Sequence, residues 1–277
     1  MTRAAKIAKT TKIRLTKTTK LNKPIIKLNM TQSQSKLTIM VSLYNSGEWI
    51  ENRIKNLLQS SHKNAEIWCV NADSPDQRDH DIPQQYPVKY IRLPKRITVY
   101  ETWNYIIENS SSDFITNANT DDLIHPNGYA SLIGALEYLG PDYGFAYPNW
   151  RTTCTPNQEW SKLEGYDQAG RPGNYAGDIE AAGIGHFPLW RRSLHTSVGL
   201  FDTNYRALAD ADWWARCHHV AKTKFHWVDE FLGCYLWKNG DNLWHKEINS
   251  GEWERYHNNL HSYKEGIIPC LITPESE

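Results

Sequence analysis

Short apolar runs alternate with stretches of helical period through the first half of the chain. Residues 37–43, LTIMVSL, form an uninterrupted apolar run of strand length, broken by Tyr44-Asn45-Ser46-Gly47. Ile50, Ile54, Leu57 and Leu58 then recur at helical spacing. Glu48 sits in the first turn of that helix, where a carboxylate is favourable. Residues 65–70 predict a second strand, ended by Asn71-Ala72-Asp73-Ser74-Pro75-Asp76, and residues 88–91 a third. Val99, Trp103, Ile106 and Ile107 make one face of another helix, with Thr98 as its N-cap. A fourth strand, 114–116, runs into small polar residues. A helix over about 126–138 follows, carrying Leu132, Ile133 and Leu136. Strands alternating with helices, each strand followed by a polar loop, predict an α/β domain. Its sheet is expected to be doubly wound and mostly parallel, flanked by helices.

The pattern changes after Gly140. Residues 143–147 read as a strand, whereas 151–185 are polar, Gly-rich and without period. So long a loop in a compact domain is usually a lid or a binding loop. Residues 186–190 and 231–237 read as strands, 208–220 (LADADWWARCHHV) and 252–263 as helices, and 239–242 as a turn.

Charge divides the chain differently. Residues 1–36 hold ten of the 31 Lys and Arg and none of the 31 Asp and Glu, although the whole is neutral. Residues 1–35 therefore read as a disordered basic arm, in which KTTK occurs at 9–12 and again at 17–20. Such an arm suits an anionic membrane surface. The alternatives are a solvated tail without a partner, or a start upstream of the true one at Met30. Residues 36–277 are expected to form the folded domain, in a first half (36–125), a second half (126–250) and a C-terminal helix (251–265). The five cysteines are an odd number without CxxC spacing, so neither a disulfide framework nor a zinc site is expected. No apolar run has the length of a membrane span, and the N-terminus lacks the apolar core of a secretory signal. The expected location is cytoplasmic, with peripheral membrane contact through the arm. No nucleic-acid partner is expected.

The chemistry concentrates in residues 113–128, DFITNANTDDLIHPNG. A buried strand stops at two adjacent carboxylates, Asp121 and Asp122, and Pro126-Asn127-Gly128 starts a new element. In open α/β sheets the C-terminal edge of the strands is where ligands bind. Oxygen donors there suit a hard divalent cation that bridges to phosphate. The alternative is a turn in which one Asp caps the following helix. The loops at 44–47, 71–76 and 119–122 converge on that edge. There is no GxxxxGK and no GxGxxG after a strand, so phosphate would be held by metal and by cations such as Lys95 and Arg96.

Five blocks together resemble family 2 glycosyltransferases of the GT-A fold. They are LTIMVSLYNSGEWIENRIKNLL, VNADSPDQ, YETWNYIIENSSSDFITNANTDDLIHP, FPLWRRSLHTSVGLFD and ALADADWWARC, spread over 37–244. The resemblance implies an inverting transfer of a sugar from a nucleotide-sugar, UDP-linked first of all, to a hydroxyl of a glycan or glycolipid acceptor. Mn²⁺ or Mg²⁺ would assist. It implies that Ser42 and Tyr44 line the base pocket, with Asn71 and Asp73 at the base edge and Arg96 beside the phosphates. Asn119 would face the ribose. Asp121 and Asp122 would bind metal, and His245 would be a third metal or phosphate contact. Asp210 would be the general base. Trp190, Trp213 and Trp214 would offer apolar faces to acceptor sugars, although core packing is the commoner use of Trp. Arg191 and Arg192 suit an anionic acceptor or plain surface.

The chain departs from the family at three points. Asn71-Ala72 stands where two acidic residues are common, Asn119 replaces the first Asp of the metal motif, and Ala209 replaces the acid before Asp210. Two other classes stay open. A sugar-phosphate nucleotidyltransferase would need a basic Gly-rich loop at 44–47. A carbohydrate-binding module would explain the twelve Trp but not the acidic positions.

Overall fold

The computed structural model describes residues 33–168, 184–237 and 251–269. The expected lipid contact of the basic arm, the 239–242 turn and His245 lie outside the described residues. The elements in order are β1 (Leu37–Leu43), α1 (Ile50–Leu58), β2 (Ala65–Asn71), α2 (Arg78–Asp81), β3 (Lys89–Arg92) and α3 (Val99–Asn109). Next come β4 (Phe114–Asn117), β5 (Leu123–Ile124), α4 (Gly128–Leu139), β6 (Tyr143–Thr153) and β7 (Tyr166–Gln168). The last described are β8 (Leu189–Arg191), α5 (Leu194–Val198), α6 (Ala209–His219), β9 (Lys224–Leu236) and α7 (Glu252–Lys264).

One sheet runs β3-β2-β1-β4-β8-β6-β9-β5, with β7 added to β6. Strands β3, β2, β1 and β4 are all parallel. Beyond β4 the sheet is mixed: β8 is antiparallel to both its neighbours, β6 and β9 are parallel, and β5 closes antiparallel on β9. Parallel pairing thus runs unbroken through the half built from strand–helix–strand units, as crossover connections require, and recurs once beyond it, between β6 and β9.

Alternation along β1 and β2 divides the core in two. Leu37, Ile39, Val41, Ile67 and Cys69 face Ile50, Ile54 and Leu57 of α1 and Leu132, Ile133 and Leu136 of α4. Met40, Trp68 and Val70 face Trp103 and Ile106 of α3, in a core that also holds Trp213 of α6 and Tyr256 of α7. Helices α1 and α4 therefore cover one face of the sheet, and α3, α6 and α7 the other. The Thr98 N-cap forms a full capping box with Glu101.

Three boundaries differ from expectation. The arm ends earlier than residue 35, because Ser33 and Ser35 both donate to the Glu137 carboxylate, at 2.6 and 2.5 Å. Strand β6 continues six residues beyond Tyr147, and β9 begins at Lys224 rather than near Phe231. Each lies beside the other along its whole length, with register shifts near Pro148 and Asn149 that break the alternation a sequence would display.

Candidate active site

Strands β1 and β2 end together, Leu43 opposite Asn71, and the parallel β4 ends toward the same edge three residues short of them, Asn117 opposite Met40. The polar loops that follow them therefore meet on one edge. The loops after β1 and β2 are joined by a residue the sequence reading did not single out. Asp79 is fully buried, and its carboxylate accepts from the Ser46 amide (3.0 Å), the Ser46 hydroxyl (2.6 Å) and the Ser74 hydroxyl (2.7 Å). Asn71 is also consumed in shaping this edge. Its amide oxygen accepts from the Ser74 amide (2.7 Å) and its nitrogen donates to the Tyr90 hydroxyl (3.3 Å). Asp73 stays exposed, in a left-handed conformation (φ 54°), and pairs with Arg92 at 3.1 Å. Tyr44 is half-buried beneath the Arg96 guanidinium, 4.2 Å from its ring centroid. The two residues form a cation–π pair at the mouth of the edge. Ser42 is half-buried at the end of β1, and its hydroxyl oxygen is buried with no hydrogen-bond partner among the described residues.

The two adjacent carboxylates have different surroundings. Asp122 is buried. One of its oxygens accepts from the Leu236 amide (3.0 Å) and the other from the Asn119 side chain (3.1 Å). Burial foremost, and then the Asp121 charge, hold its carboxyl well above the ordinary carboxylate range. Asn119 is therefore turned toward Asp122. Asp121 is only half-buried. Behind the pair, α1 presents two polar residues at core positions. The Asn56 side chain bonds both backbone groups of Ile124, at 2.9 Å each. The buried Arg53 donates to Asn56 at 2.9 Å, and its positive charge acts on Asp122. Polar residues on the apolar face of a helix are the signal that marks them in the sequence.

His186, which feels the Asp121 charge, is stacked on Tyr235 with centroids 3.7 Å apart and edge-on to Trp150 at 6.0 Å. Burial pushes its imidazole down to about 4, against the pull of the Asp121 charge, so it is neutral at pH 7. Among the described residues no group of three or more His, Cys, Asp or Glu converges as a metal cage. One half-exposed carboxylate, Asp121, still fits a Mg²⁺- or Mn²⁺-type ion. Such ions commonly take one or two protein ligands and fill the rest with phosphate oxygens and water.

On the other face of the sheet, Asp210 opens α6. It is half-buried, and one carboxylate oxygen accepts from the Ala211 amide (2.8 Å) and the Tyr100 hydroxyl (3.3 Å). Burial raises its carboxyl to about 6, and the two hydrogen bonds oppose that shift. Tyr100 follows directly on Arg96 and the Thr98 cap, so Asp210 lies on the same edge as Tyr44. Asp212 is different in kind. It is fully buried, paired with Arg216 at 3.0 Å and bonded by the Tyr263 hydroxyl at 2.6 Å.

Two of the three expected acceptor contacts are corrected by burial. Trp190 is 1% exposed and Trp213 fully buried, their indole nitrogens bonded to His195 (3.0 Å) and the Gly199 carbonyl (2.9 Å). They are core, and no sugar reaches them. Trp214 is half-buried, edge-on to Phe145. Arg191 donates to the carbonyls of Leu136 and Gly140 at the end of α4, at 2.6 and 3.1 Å. Arg192 bonds Ile107 and Ser110 at the end of α3. These two arginines serve as helix C-caps.

Helix α7 holds α6 in place. Glu252 accepts from the backbone amides of Arg206 and Ala207, and Asn259 donates to the Tyr205 hydroxyl at 3.0 Å. Arg255 donates to the Asn204 carbonyl at 2.9 Å, and Tyr263 reaches Asp212. No helix of the described residues is long and apolar enough to cross a membrane.

The fold is that of GT-A glycosyltransferases. S. aureus TarS (residues 1–349, complexed with UDP-GlcNAc) superposes with a TM-score of 0.62 at 12% identity, covering 82% of this chain and 66% of that one. The mannosyltransferase PcManGT from Pyrobaculum calidifontis, with GDP-Man and Mn²⁺, gives 0.59 at 13%, covering 87% and 68%. Glucosyl-3-phosphoglycerate synthase from Mycobacterium tuberculosis gives 0.54 at 11%, covering 86% and 82%. The chain belongs to glycosyl transferase family 2, whose sequence model matches residues 38–199. A curated relative, an uncharacterized glycosyltransferase of Rickettsia typhi, is 23% identical over 210 residues. That match takes in 68% of this chain and only 60% of the relative's length.

Proposed function

We propose that this chain is an inverting, metal-assisted glycosyltransferase. It would move a sugar from a nucleotide-sugar, UDP-linked in the first instance, to a hydroxyl of a glycan or lipid-linked acceptor. The observation that carries the reading is Asp210, a half-buried carboxylate raised to about 6 on the same edge as the Tyr44–Arg96 pair and Asp121. General bases work best with a pKa near the operating pH. UDP and Mn²⁺ in the M. tuberculosis synthase complex, and GDP-Man and Mn²⁺ in the mannosyltransferase complex, support the donor and metal.

In this reading Tyr44 and Arg96 hold the nucleobase, with Asp73 at the rim. The orphaned Ser42 hydroxyl offers a donor or acceptor to the nucleoside. Asp121 would hold the ion, and His245 stays a candidate further contact. Asn119 and Asp122 set the shape of that loop. A bound divalent cation supplies neutralising charge for the departing diphosphate. Asp210 accepts the proton of the acceptor hydroxyl as its oxygen bonds to the anomeric carbon and the bond to the diphosphate oxygen breaks. One such displacement inverts the anomeric centre. Trp214 is the acceptor-side aromatic that burial leaves available.

Incubation with a panel of UDP-, GDP- and dTDP-sugars plus Mn²⁺ tests the reading. Slow release of free sugar and nucleoside diphosphate from one donor is expected. With inorganic pyrophosphate added, conversion of the donor to a sugar 1-phosphate and a nucleoside triphosphate would instead favour a nucleotidyltransferase, and binding without turnover a carbohydrate-binding module.

Tyr100 adds a pH prediction. Its hydroxyl stabilises the charged form of Asp210, so Tyr100→Phe removes a donor and raises the carboxyl further. The active form is the deprotonated one, and transfer is lost as pH falls through the Asp210 pKa. The acid limb of kcat/KM is therefore expected to move up by about one pH unit, about a tenfold loss on the acid side with little change above it. A uniform loss at all pH values would mean that Tyr100 only packs.

A further inference from the structure

A second polar cleft lies away from this edge, between the outer surface of α1 and the loop 153–164, with Pro126 at its end. It encloses about 300 Å³, within the range of small-ligand sites. Its loop is built rather than loose. The Gln158 amide nitrogen donates to the Thr153 hydroxyl (2.7 Å) and to the carbonyls of Thr155 (3.0 Å) and Glu164 (3.3 Å), while its oxygen accepts from the Glu164 amide (2.6 Å). Asn157 takes a left-handed conformation, φ 54°, and donates to the Glu48 carbonyl at 3.1 Å. Asn52 donates to the Gln158 carbonyl at 3.2 Å. Two amide side chains thus pin the loop to α1.

What the loop presents is a half-buried indole, Trp160, set edge-to-face against His125 at 5.2 Å. Opposite it stand Asn52, Lys55 and Gln59, which fall on one face of α1 at spacings of three and four residues. Glu159 lies beside the indole. Lys55 is paired with Glu51 at 2.8 Å and Glu159 with Lys162 at 2.9 Å, both pairs exposed. An aromatic plane flanked by the Asn52 and Gln59 carboxamides and one carboxylate edge matches a pyranose. The indole takes the apolar C–H face of the ring, and the planar amides and the carboxylate bond its hydroxyls. Charges of both signs line the cleft, so it does not select an ionic ligand.

We propose that this cleft is a saccharide-binding subsite for a neutral glycan, separate from the reacting hydroxyl. It sits on the α1–α4 face of the sheet, whereas Asp210 belongs to α6 on the opposite face. A sugar held against Trp160 is therefore a distal part of a glycan, or a second glycan. The cleft is joined to the metal-side loop through His125, three residues from Asp122, and through Asn56, which lines it and clamps Ile124. The inference concerns binding alone and does not require that transfer occur.

The test is protein-observed NMR and calorimetry on the full chain. The probes are four neutral tetrasaccharides, made of glucose, mannose, galactose and N-acetylglucosamine, without donor. Binding of at least one at up to about 10 mM is expected, with shifts at the Trp160 indole N–H. Trp160→Ala and Gln59→Ala, the first half-buried and the second exposed, should each weaken it by about tenfold or more while UDP affinity with Mn²⁺ and melting temperature stay nearly unchanged. Shifts confined to residues around Asp210, no binding by any probe, or equal binding by Trp160→Ala would each overturn the proposal. If UDP fails to bind but Trp160-dependent saccharide binding is seen, the transferase reading falls and the subsite stands.

Discussion

Asp210→Asn is expected to lower sugar transfer by at least about a hundredfold, with donor affinity and melting temperature nearly unchanged. Asparagine keeps the shape of the side chain, and its oxygen still accepts from Ala211 and Tyr100. Only the ability to take up a proton is lost. General-base catalysis is typically worth about 10²–10⁴-fold, so the loss is visible in kcat rather than in KM. Asp212→Asn is the contrasting variant. Its carboxylate is the buried partner of Arg216, and breaking such a pair costs about 3–5 kcal/mol of stability. It should melt earlier and, while folded, turn over. Transfer rate and urea midpoint measured for both variants decide the matter. An active Asp210→Asn beside a folded but dead Asp212→Asn would move the base two residues along α6.

Asp121→Ala is expected to abolish the Mn²⁺-dependent part of UDP binding. The neighbouring Asp122 cannot substitute, because both its oxygens face inward to Leu236 and Asn119. Asp121 is half-buried, so its removal leaves the folded domain standing. Loss of a ligating carboxylate removes the charge that couples the ion to the diphosphate. Calorimetry of UDP with and without Mn²⁺ reads this directly. Wild-type protein should show a metal-dependent gain in affinity and the variant none. An undiminished gain in Asp121→Ala would place the ion elsewhere.

The sequence carried the donor half of the fold well. Apolar runs at β1, β2 and β4 and the helical periods of α1 and α3 are strong because each element has one buried face or two. The capping box of α3 is likewise written locally, in Thr98 and Glu101. Legibility fails where the cause is not local. The length of the β6–β9 pairing is set by a partner some eighty residues away, and its register shifts erase the period of two. Burial separates Asp121 from Asp122 and Asp210 from Asp212, yet each pair reads alike as adjacent acids. Trp190 and Trp213 look like sugar platforms until the core closes over them. Asp79 and His186 leave no periodic trace at all. Each becomes visible only when loops distant in sequence are brought to one edge.

The hold of α7 on α6 also bears on the order of events during synthesis. Strands β1 to β4 are complete by residue 117 and the loop after β4 and its covering helix α4 by Leu139, so this part of the sheet can form early, as domains made from the N-terminus do. The segment before Asp210 gains its fixed backbone only when Glu252, Asn259 and Tyr263 arrive. A nascent chain would thus hold the strands and loops of the first edge before the backbone around Asp210 is fixed, and that backbone would settle only with α7.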